Sequence, residues 1–270
     1  MFRRTKSKRN PITATGAVIL AHLFLSSVLP AQQLRVAAAA DLQFAMKDLA
    51  TKYEARTKQA VEIVYGSSGN FFTQIENGAT FDLFFSADTS YPTKLIEQGF
   101  ADKPSFYRYA LGRLTIWASA DVHLNVAEQG FQSLLDPRVH KIAIANPEHA
   151  PYGRAAVSAL QKAGIYEQIK SKLVYGENIS QTAQFAQSGN AQVGLVALSL
   201  ATSPSMQTGD RWVVPIEYHS PLEQAAVVVT SSKNKKAASE FLDFVKSSEG
   251  REILAHYGFT LSSDSGGKNP

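Results

Sequence analysis

Small and polar residues stand at four points where a strand pattern gives way to a helix pattern. These junctions are "AAAAD" at residues 37–41, "YGSSGN" at 65–70, "NPEHAPYG" at 146–153 and "YGEN" at 175–178. The first turn of a helix has N–H groups without partners and carries about half a positive charge. Several helix starts that face one cleft bind an anion without any lysine or arginine. The pattern therefore predicts an anion-binding site.

The second junction carries the strongest signal for a ligand. Ser67 and Ser68 supply hydroxyl donors, and the glycines on either side, Gly66 and Gly69, permit a close approach of the backbone. The alternative is that Ser67, Ser68 and Asn178 only cap their own helices. The residue types fit both interpretations.

Asp41 at the first junction conflicts with a simple anion site. An ionised carboxylate ~4 Å from a dianion would cost on the order of 8 kcal/mol at an effective dielectric constant near 20. Each helix start returns only about 0.3–1 kcal/mol. Three interpretations stay open. The carboxylate could cap its own helix through the N–H of Gln43 or Phe44, it could be protonated and donate a hydrogen bond, or the ligand could be something other than a dianion.

Short apolar runs alternate with amphipathic helical segments from residue 34 onward. Residues 81–88 form a nearly continuous apolar run, as in a strand buried on both faces. Residues 42–53 carry apolar side chains at helical spacing. This alternation predicts an α/β chain with parallel sheet character, and two helices are predicted at the end, the first after Asn234. Ligands of open α/β sheets bind at the carboxyl ends of strands, which is where the four junctions lie.

The first 31 residues are predicted to be a secretory signal peptide. They combine the basic stretch "MFRRTKSKRNP", an apolar stretch and a small residue, Ala31. They hold five basic residues and no acid, so the chain net charge of +4 becomes −1 for residues 32–270. The high isoelectric point therefore gives no reason to expect a nucleic-acid partner. With no cysteine, an exported protein relies on its core for stability, and we expect it in the periplasm.

Sequence motifs of enzymes are absent. The chain contains no HExxH pair, no GxSxG elbow and no Walker loop. The scattered histidines are expected in loops or on the surface. A periplasmic enzyme on an α/β scaffold is kept as an alternative of a different class, but a binding protein without catalysis is favoured.

Four ordered segments resemble the molybdate-binding periplasmic proteins of molybdate ABC transporters, the ModA-like family. They are "AAAADL" at 37–42, "YGSSGNFFTQIENGATFDLFFSAD" at 65–88, "ANPEHAPYGRAAVSAL" at 145–160 and "FLDFVKSSEGREILAHYGF" at 241–259. The resemblance implies the type II periplasmic binding protein fold, with two α/β lobes joined by two crossing strands. It places lobe 1 at residues 32–113 plus 225–270 and lobe 2 at 114–224.

The resemblance also implies a set of ligand-binding residues. The second serine of the family corresponds to Ser68, with Ser67 beside it, and backbone N–H donors fall at Tyr152 and Ile179. Two positions depart from the family pattern, since Asp41 replaces its first serine and Ala197 a tyrosine that many members have. The Tyr152 hydroxyl could compensate from across the cleft.

The function implied is capture of molybdate or tungstate and delivery to a membrane ABC permease. No cofactor and no metal cation are expected, only the oxyanion as ligand, and a monomer is expected. The alternative keeps the fold and changes the ligand to another small anion, such as a phosphorylated or carboxylated metabolite, or to a metal ion bound through Asp41.

Overall fold

The computed structural model describes residues 1–2 and 33–260, so the predicted signal peptide lies almost wholly outside the described residues. Residues 34–256 hold twenty helices and strands, joined by loops and short 3-10 turns. In chain order they are β1 Leu34–Ala39, α1 Gln43–Thr57, β2 Val61–Gly66, α2 Ser68–Glu76, β3 Leu83–Ser86, α3 Ser90–Glu97, β4 Tyr107–Gly112, β5 Leu114–Ala118, α4 Val126–Gln129, β6 Ile142–Ala145, α5 Pro151–Lys162, α6 Tyr166–Ile169, β7 Leu173–Gly176, α7 Ile179–Gln187, β8 Val193–Ala197, α8 Leu198–Ala201, β9 Asp210–Val213, β10 Leu222–Val228, α9 Lys235–Lys246 and α10 Ser248–His256.

The strands form two five-stranded sheets, in the orders β2-β1-β3-β10-β4 and β7-β6-β8-β5-β9. The pairs β2-β1, β1-β3, β7-β6 and β6-β8 are parallel, as predicted. β10 and β5 each run antiparallel to both of their neighbours. Both sheets are therefore mixed, with parallel pairs on one side and antiparallel pairs on the other.

Alternation along the strands of the first sheet divides its core between two faces. In β3, Leu83 and Phe85 pack in one apolar cluster with α1, α9 and α10, whereas Phe84 packs in another with α2 and α3. Successive side chains of a strand point to opposite faces, and both faces here are covered by helices. This explains why residues 83–86 are buried without interruption.

The second sheet has one large apolar cluster, which includes Leu114, Ile144, Leu160 and Val196. The chain passes from the first sheet to the second between β4 and β5, with only Arg113 between these strands. It returns between β9 and β10. Among the described residues, no helix has both the length and the apolar character of a membrane span.

Several helix starts differ from the sequence-based prediction. A 3-10 turn over Ala40–Leu42 precedes α1, α2 begins at Ser68, and α5 begins at Pro151 instead of Arg154. Proline is favoured in the first helical position because it has no N–H to satisfy there and its φ angle already suits a helix. The earlier start puts Tyr152 in the first turn of α5.

Candidate functional site

The four predicted junctions meet at one small cavity. All five predicted site residues line it: Asp41, Ser67, Ser68, Tyr152 and Ile179. The other lining residues are small or belong to the same junctions: Ala39, Ala40, Gly66, Ala87, Ala150 and Pro151. The centre of a water molecule has only about 10 Å³ to move in here. This is about the room needed by one water molecule, whereas drug-sized ligands occupy pockets of roughly 300–1,000 Å³, so the cavity excludes ligands of that size.

The two serines of the second junction do not cap helix α2. Ser67 stands at the N-cap position without a capping hydrogen bond, and its Oγ instead lies 2.9 Å from Nδ1 of His149. Ser68 Oγ accepts a hydrogen bond from the backbone N–H of Ala87 at 3.0 Å. A hydroxyl that accepts from the protein keeps its own hydrogen to donate. Ser68 is fully buried and lines the cavity, so this hydrogen is available to a bound anion.

Two backbone N–H groups at the other junctions are left for a ligand. Asn178 caps α7, which agrees with the capping interpretation, and its Oδ1 accepts from the N–H groups of Ser180 and Gln181 but not from that of Ile179. At the start of α5, the N–H groups of Gly153 and Arg154 both donate to the carbonyl of Ala150. The first N–H groups of a helix have no partner within it, which leaves those of Ile179 and Tyr152 beside the cavity.

The Asp41 side chain points away from its own helix. Its Oδ2 accepts a hydrogen bond from Gln224 Nε2 at 2.6 Å and from the Tyr152 hydroxyl at 3.1 Å. Its Oδ1 is buried without a hydrogen-bond partner. The interpretation that the carboxylate caps through Gln43 or Phe44 is therefore wrong, because its hydrogen-bond donors come from β10 and from α5 beside the other sheet. Tyr152 does supply a hydroxyl from across the cleft, but to Asp41.

The environment of Asp41 disfavours its charged form. Burial raises the pKa of its carboxyl from 3.8 to about 6, although hydrogen bonds from Gln224 and Tyr152 and the nearby backbone N–H groups of Asp41 and Leu42 lower it. Burial and the Asp41 charge raise the pKa of the Tyr152 and Tyr109 hydroxyls well above their ordinary value. Both tyrosines are therefore neutral donors, and the pKa of the Asp41 carboxyl lies closer to neutral pH than that of an exposed aspartate.

Three contributors to this arrangement were missed in the sequence. Gln224 donates to Asp41 and accepts from the Tyr109 hydroxyl at 2.7 Å, and Ser199 Oγ donates to the Asp41 carbonyl at 2.7 Å. The pairing of β10 with β4 shifts register between Gln224 and Ala225, and such bulges re-aim side chains. A glutamine directly before the apolar run of a buried strand was the one available signal.

We call the buried network of Asp41, Tyr109, Tyr152 and Gln224 the inner wall of the cavity. Gly112, the last residue of β4, makes room for it. A Cβ atom at Gly112 would lie 2.2 Å from the Tyr152 hydroxyl oxygen and 2.6 Å from Gln224 Nε2. Any larger residue would displace both groups from Asp41.

Contacts between the two halves of the chain also surround the cavity on its outer side. We call the pairs Asn70–Glu177 and Asp88–Arg154 the rim. Asn70 Nδ2 donates to Glu177 Oε1 at 2.6 Å, and Arg154 Nη2 donates to Asp88 Oδ2 at 2.6 Å. Nearby, the N–H of Gly69 donates to the carbonyl of His149 at 2.9 Å. These contacts join helices and loops of the first sheet to those of the second, next to residues that line the cavity.

Among residues 33–260, no three histidine, aspartate or glutamate side chains come together as the ligands of a metal ion do. His149 pairs with Ser67 and lies 3.6 Å from Glu177.

Comparison with known proteins identifies the family. A family model described as bacterial extracellular solute-binding protein matches residues 34–260. The chain belongs to this family. Two similar solute-binding proteins are named molybdate-binding protein ModA. The one from Rhodobacter capsulatus is 40% identical over 90% of this chain and 95% of its own length, and the one from Azotobacter vinelandii is 38% identical over 93% and 96%.

A solved structure has the same fold as this solute-binding protein. The Azotobacter vinelandii periplasmic molybdate-binding protein superposes with a TM-score of 0.80 and 33% sequence identity, covering 86% of this chain and all of its own. The fold is the predicted α/β type II periplasmic binding protein fold with two lobes. The resemblance to molybdate-binding proteins is confirmed.

Proposed function

We propose that this solute-binding protein captures molybdate in the periplasm and delivers it to a membrane ABC permease. The observation that carries the proposal is the meeting of four helix starts from both sheets at one compact cavity. Helix starts bind anions through N–H groups and the helix dipole. The relatives named as molybdate-binding proteins support the choice of ion, and tungstate, an oxyanion of the same shape and charge, is proposed as a second ligand.

We propose four donors and one special neighbour for the bound ion. Ser67 and Ser68 donate through hydroxyls, and Tyr152 and Ile179 donate through backbone N–H groups. All of these donors are neutral. Fixed to helix ends, they favour a small anionic group, because each presents an N–H or O–H hydrogen to the cavity. Asp41 is the special neighbour and is treated below.

Binding measurements with a series of ions test the proposal. Thermal unfolding and calorimetric titration of the purified protein are compared for molybdate, tungstate, sulfate and phosphate. A ligand at 100 times its Kd stabilises the protein by about 2.7 kcal/mol, a large shift in such an experiment. Molybdate and tungstate are expected to stabilise it strongly. Absence of any shift with both ions would refute the proposed ligand.

Ser68→Ala tests the placement of the site. It removes one hydroxyl donor to a charged ligand, so the binding free energy is expected to weaken by about 1–3 kcal/mol. The control is Ser171→Ala, because Ser171 is exposed on the surface. Equal affinity of the Ser68 variant and the control would mean that the ion binds elsewhere.

A phosphorylated or carboxylated metabolite is the second candidate ligand. A cleft of about 520 Å³ adjoins the cavity, shares Ala87 and Pro151 with it and contains Arg154. The anionic group of such a ligand would occupy the cavity and its body the cleft. Stabilisation by a sugar phosphate that exceeds stabilisation by molybdate would favour this candidate.

We further propose the organisation that goes with this function. Residues 1–31 act as a signal peptide, and the exported protein is a monomer that catalyses no reaction and binds no nucleic acid. Lobe 1 comprises 32–113 plus 225–270 and lobe 2 comprises 114–224, with the crossings near Arg113 and ahead of β10. Mass spectrometry of the secreted protein tests the cleavage site, and light scattering tests the monomer.

A further inference from the structure

A carboxyl group beside an anion-binding cavity requires an explanation. Asp41 is 1% exposed and lines the cavity, and its Oδ1 has no hydrogen-bond partner. A buried oxygen without a partner costs free energy unless a ligand or a proton satisfies it. Every other group proposed to face the ion is a donor. Oδ1 fits such a ring of donors only if it carries a hydrogen.

The side chains packed around Asp41 offer no positive charge, and its ionised form is favoured only by hydrogen bonds from Gln224 and Tyr152 and by the backbone N–H groups of Asp41 and Leu42. Gln224 from β10 and Tyr152 from α5 hydrogen-bond Oδ2, and Ser199 from α8 donates to the backbone carbonyl. Tyr109 from β4 is the other titratable group nearby, and like Tyr152 it is a neutral donor. Beyond this network, His149 reaches Ser67 and lies 3.6 Å from Glu177. His149 is therefore the titratable group at the site that must be separated experimentally from Asp41.

We propose that Asp41 takes up one proton from solvent when the oxyanion binds, and that its protonated Oδ1 donates a hydrogen bond to the ion. This inference rests on the proposed function and couples ion binding to the uptake of a proton. The balance is simple: an ionised carboxylate, one proton and a dianion give a complex in which the carboxyl is neutral. Oδ2 remains the acceptor for Gln224 and Tyr152, so the hydrogen-bond geometry of the inner wall is kept.

The proposal has a quantitative consequence for affinity. Well below pH 6 the carboxyl of the free protein is already protonated, and the affinity is expected to be independent of pH. Above that pH a proton must be acquired during binding, so the affinity falls about tenfold per pH unit. Proton uptake is expected to be about half a proton per ion at pH 6 and about one at pH 8.

Calorimetric titration of the protein with molybdate tests this directly. Measurements at pH 6, 7 and 8, each in two buffers of different ionisation enthalpy, give the number of protons taken up. Asp41→Asn keeps an acceptor for Gln224 and Tyr152 and supplies an N–H₂ donor without a charge. It is expected to take up no proton through this site and to bind about tenfold more tightly than wild type at pH 7 and about a hundredfold at pH 8. Asp41→Ser, which also lacks a titratable group, serves if the Asn variant fails to fold.

The control is His149→Gln, which removes the other titratable group at the site. It is expected to keep the dependence of affinity on pH, whatever its absolute affinity. A pH dependence that survives in the Asp41 variants, or that vanishes in the His149 variant, overturns the proposal. Tight molybdate binding by wild type with no proton uptake overturns only the proposed protonation of Asp41 and leaves the proposed function intact. No molybdate binding at any pH by wild type or variants overturns both.

Discussion

The inner wall and the rim both join the two halves of the chain around the cavity, but they do so by different physics. The inner wall is fully buried, and its hydrogen bonds connect one carboxyl to uncharged partners. The rim consists of partly exposed polar and charged pairs, with 40% of the Arg154 side chain and 59% of the Glu177 side chain accessible to solvent. Exposed ion pairs contribute about 0–1 kcal/mol, whereas a buried polar group without a partner costs about 1–3 kcal/mol.

Because of this difference, substitutions in the two regions are expected to have different effects. A change in the inner wall has no water to compensate for it, so it alters stability, protonation and ion binding together. Water and dissolved ions replace a contact that is lost from the rim. A change there therefore weakens only the association of the two halves. The variants below test this contrast.

Gly112→Ala is expected to have the largest effect. Its Cβ would lie 2.2 Å from the Tyr152 hydroxyl oxygen, so the tyrosine must move and Asp41 loses a donor. Overpacking and a lost hydrogen bond to a charged group together are expected to destabilise the protein by on the order of 4 kcal/mol. Urea unfolding measures this. In a Tyr152→Phe background, without the clashing hydroxyl, the same substitution should cost clearly less. An equal cost in both backgrounds would show that the clash with the Tyr152 hydroxyl does not cause the effect.

Asp41→Asn is expected to stabilise the ligand-free protein, and only at high pH. The carboxyl pKa is raised from 3.8 to about 6 in the folded state, so the folded protein binds more protons than the unfolded chain between these values. Stability contributed by this group is therefore lost as the pH rises from about 4 to 6. At pH 8 the loss amounts to about 3 kcal/mol, which the neutral amide avoids.

Urea unfolding of the wild type and the Asn variant at pH 4.5 and pH 8 checks the sign. The difference in unfolding free energy should be small at pH 4.5 and large at pH 8. Asp88→Asn is a control with a partly exposed carboxyl at the rim. A difference that is the same at both pH values would mean that Asp41 is ionised without penalty.

Tyr109→Phe is expected to have an intermediate effect. The hydroxyl donates to Gln224 Oε1 at 2.7 Å and to the Ser86 carbonyl at 3.1 Å, so its removal leaves buried acceptors unsatisfied. A loss of stability of about 1–3 kcal/mol is expected by chemical denaturation. Tyr175→Phe is the matched control, because Tyr175 is 50% exposed. Equal stability of the two variants would contradict a structural role for the inner wall hydroxyl.

Arg154→Ala is expected to have the smallest effect. It removes the 2.6 Å ion pair with Asp88 and the hydrogen bond to the Tyr91 hydroxyl, both accessible to solvent. Molybdate affinity is expected to weaken by no more than about 1 kcal/mol, and the effect should shrink at high salt because exposed charges are screened. Lys236→Ala, at a nearly fully exposed pair, is the control. A loss as large as that of Ser68→Ala would place the rim among the main determinants of binding.

Much of the local structure could be predicted because it depends on neighbouring residues. Asn178 caps α7 through the two N–H groups that follow it, and α9 begins directly after Asn234. The buried strand at 83–86 follows from its uninterrupted apolar run. Capping and apolar periodicity act over a few residues, so they are visible in the sequence. The start of α5 was missed because the proline that begins it looked like part of the preceding loop.

The sequence by itself determined the α/β class, the four strand-to-helix junctions and the residue types found at the cavity, since each depends on local spacing. Only the tertiary structure decided where the Asp41 side chain points. Its partners lie 111 and 183 residues away in the chain, on elements that meet it only after both sheets have formed. Burial by those elements raises the pKa of Asp41, and burial is a property of the assembled core that no short segment carries.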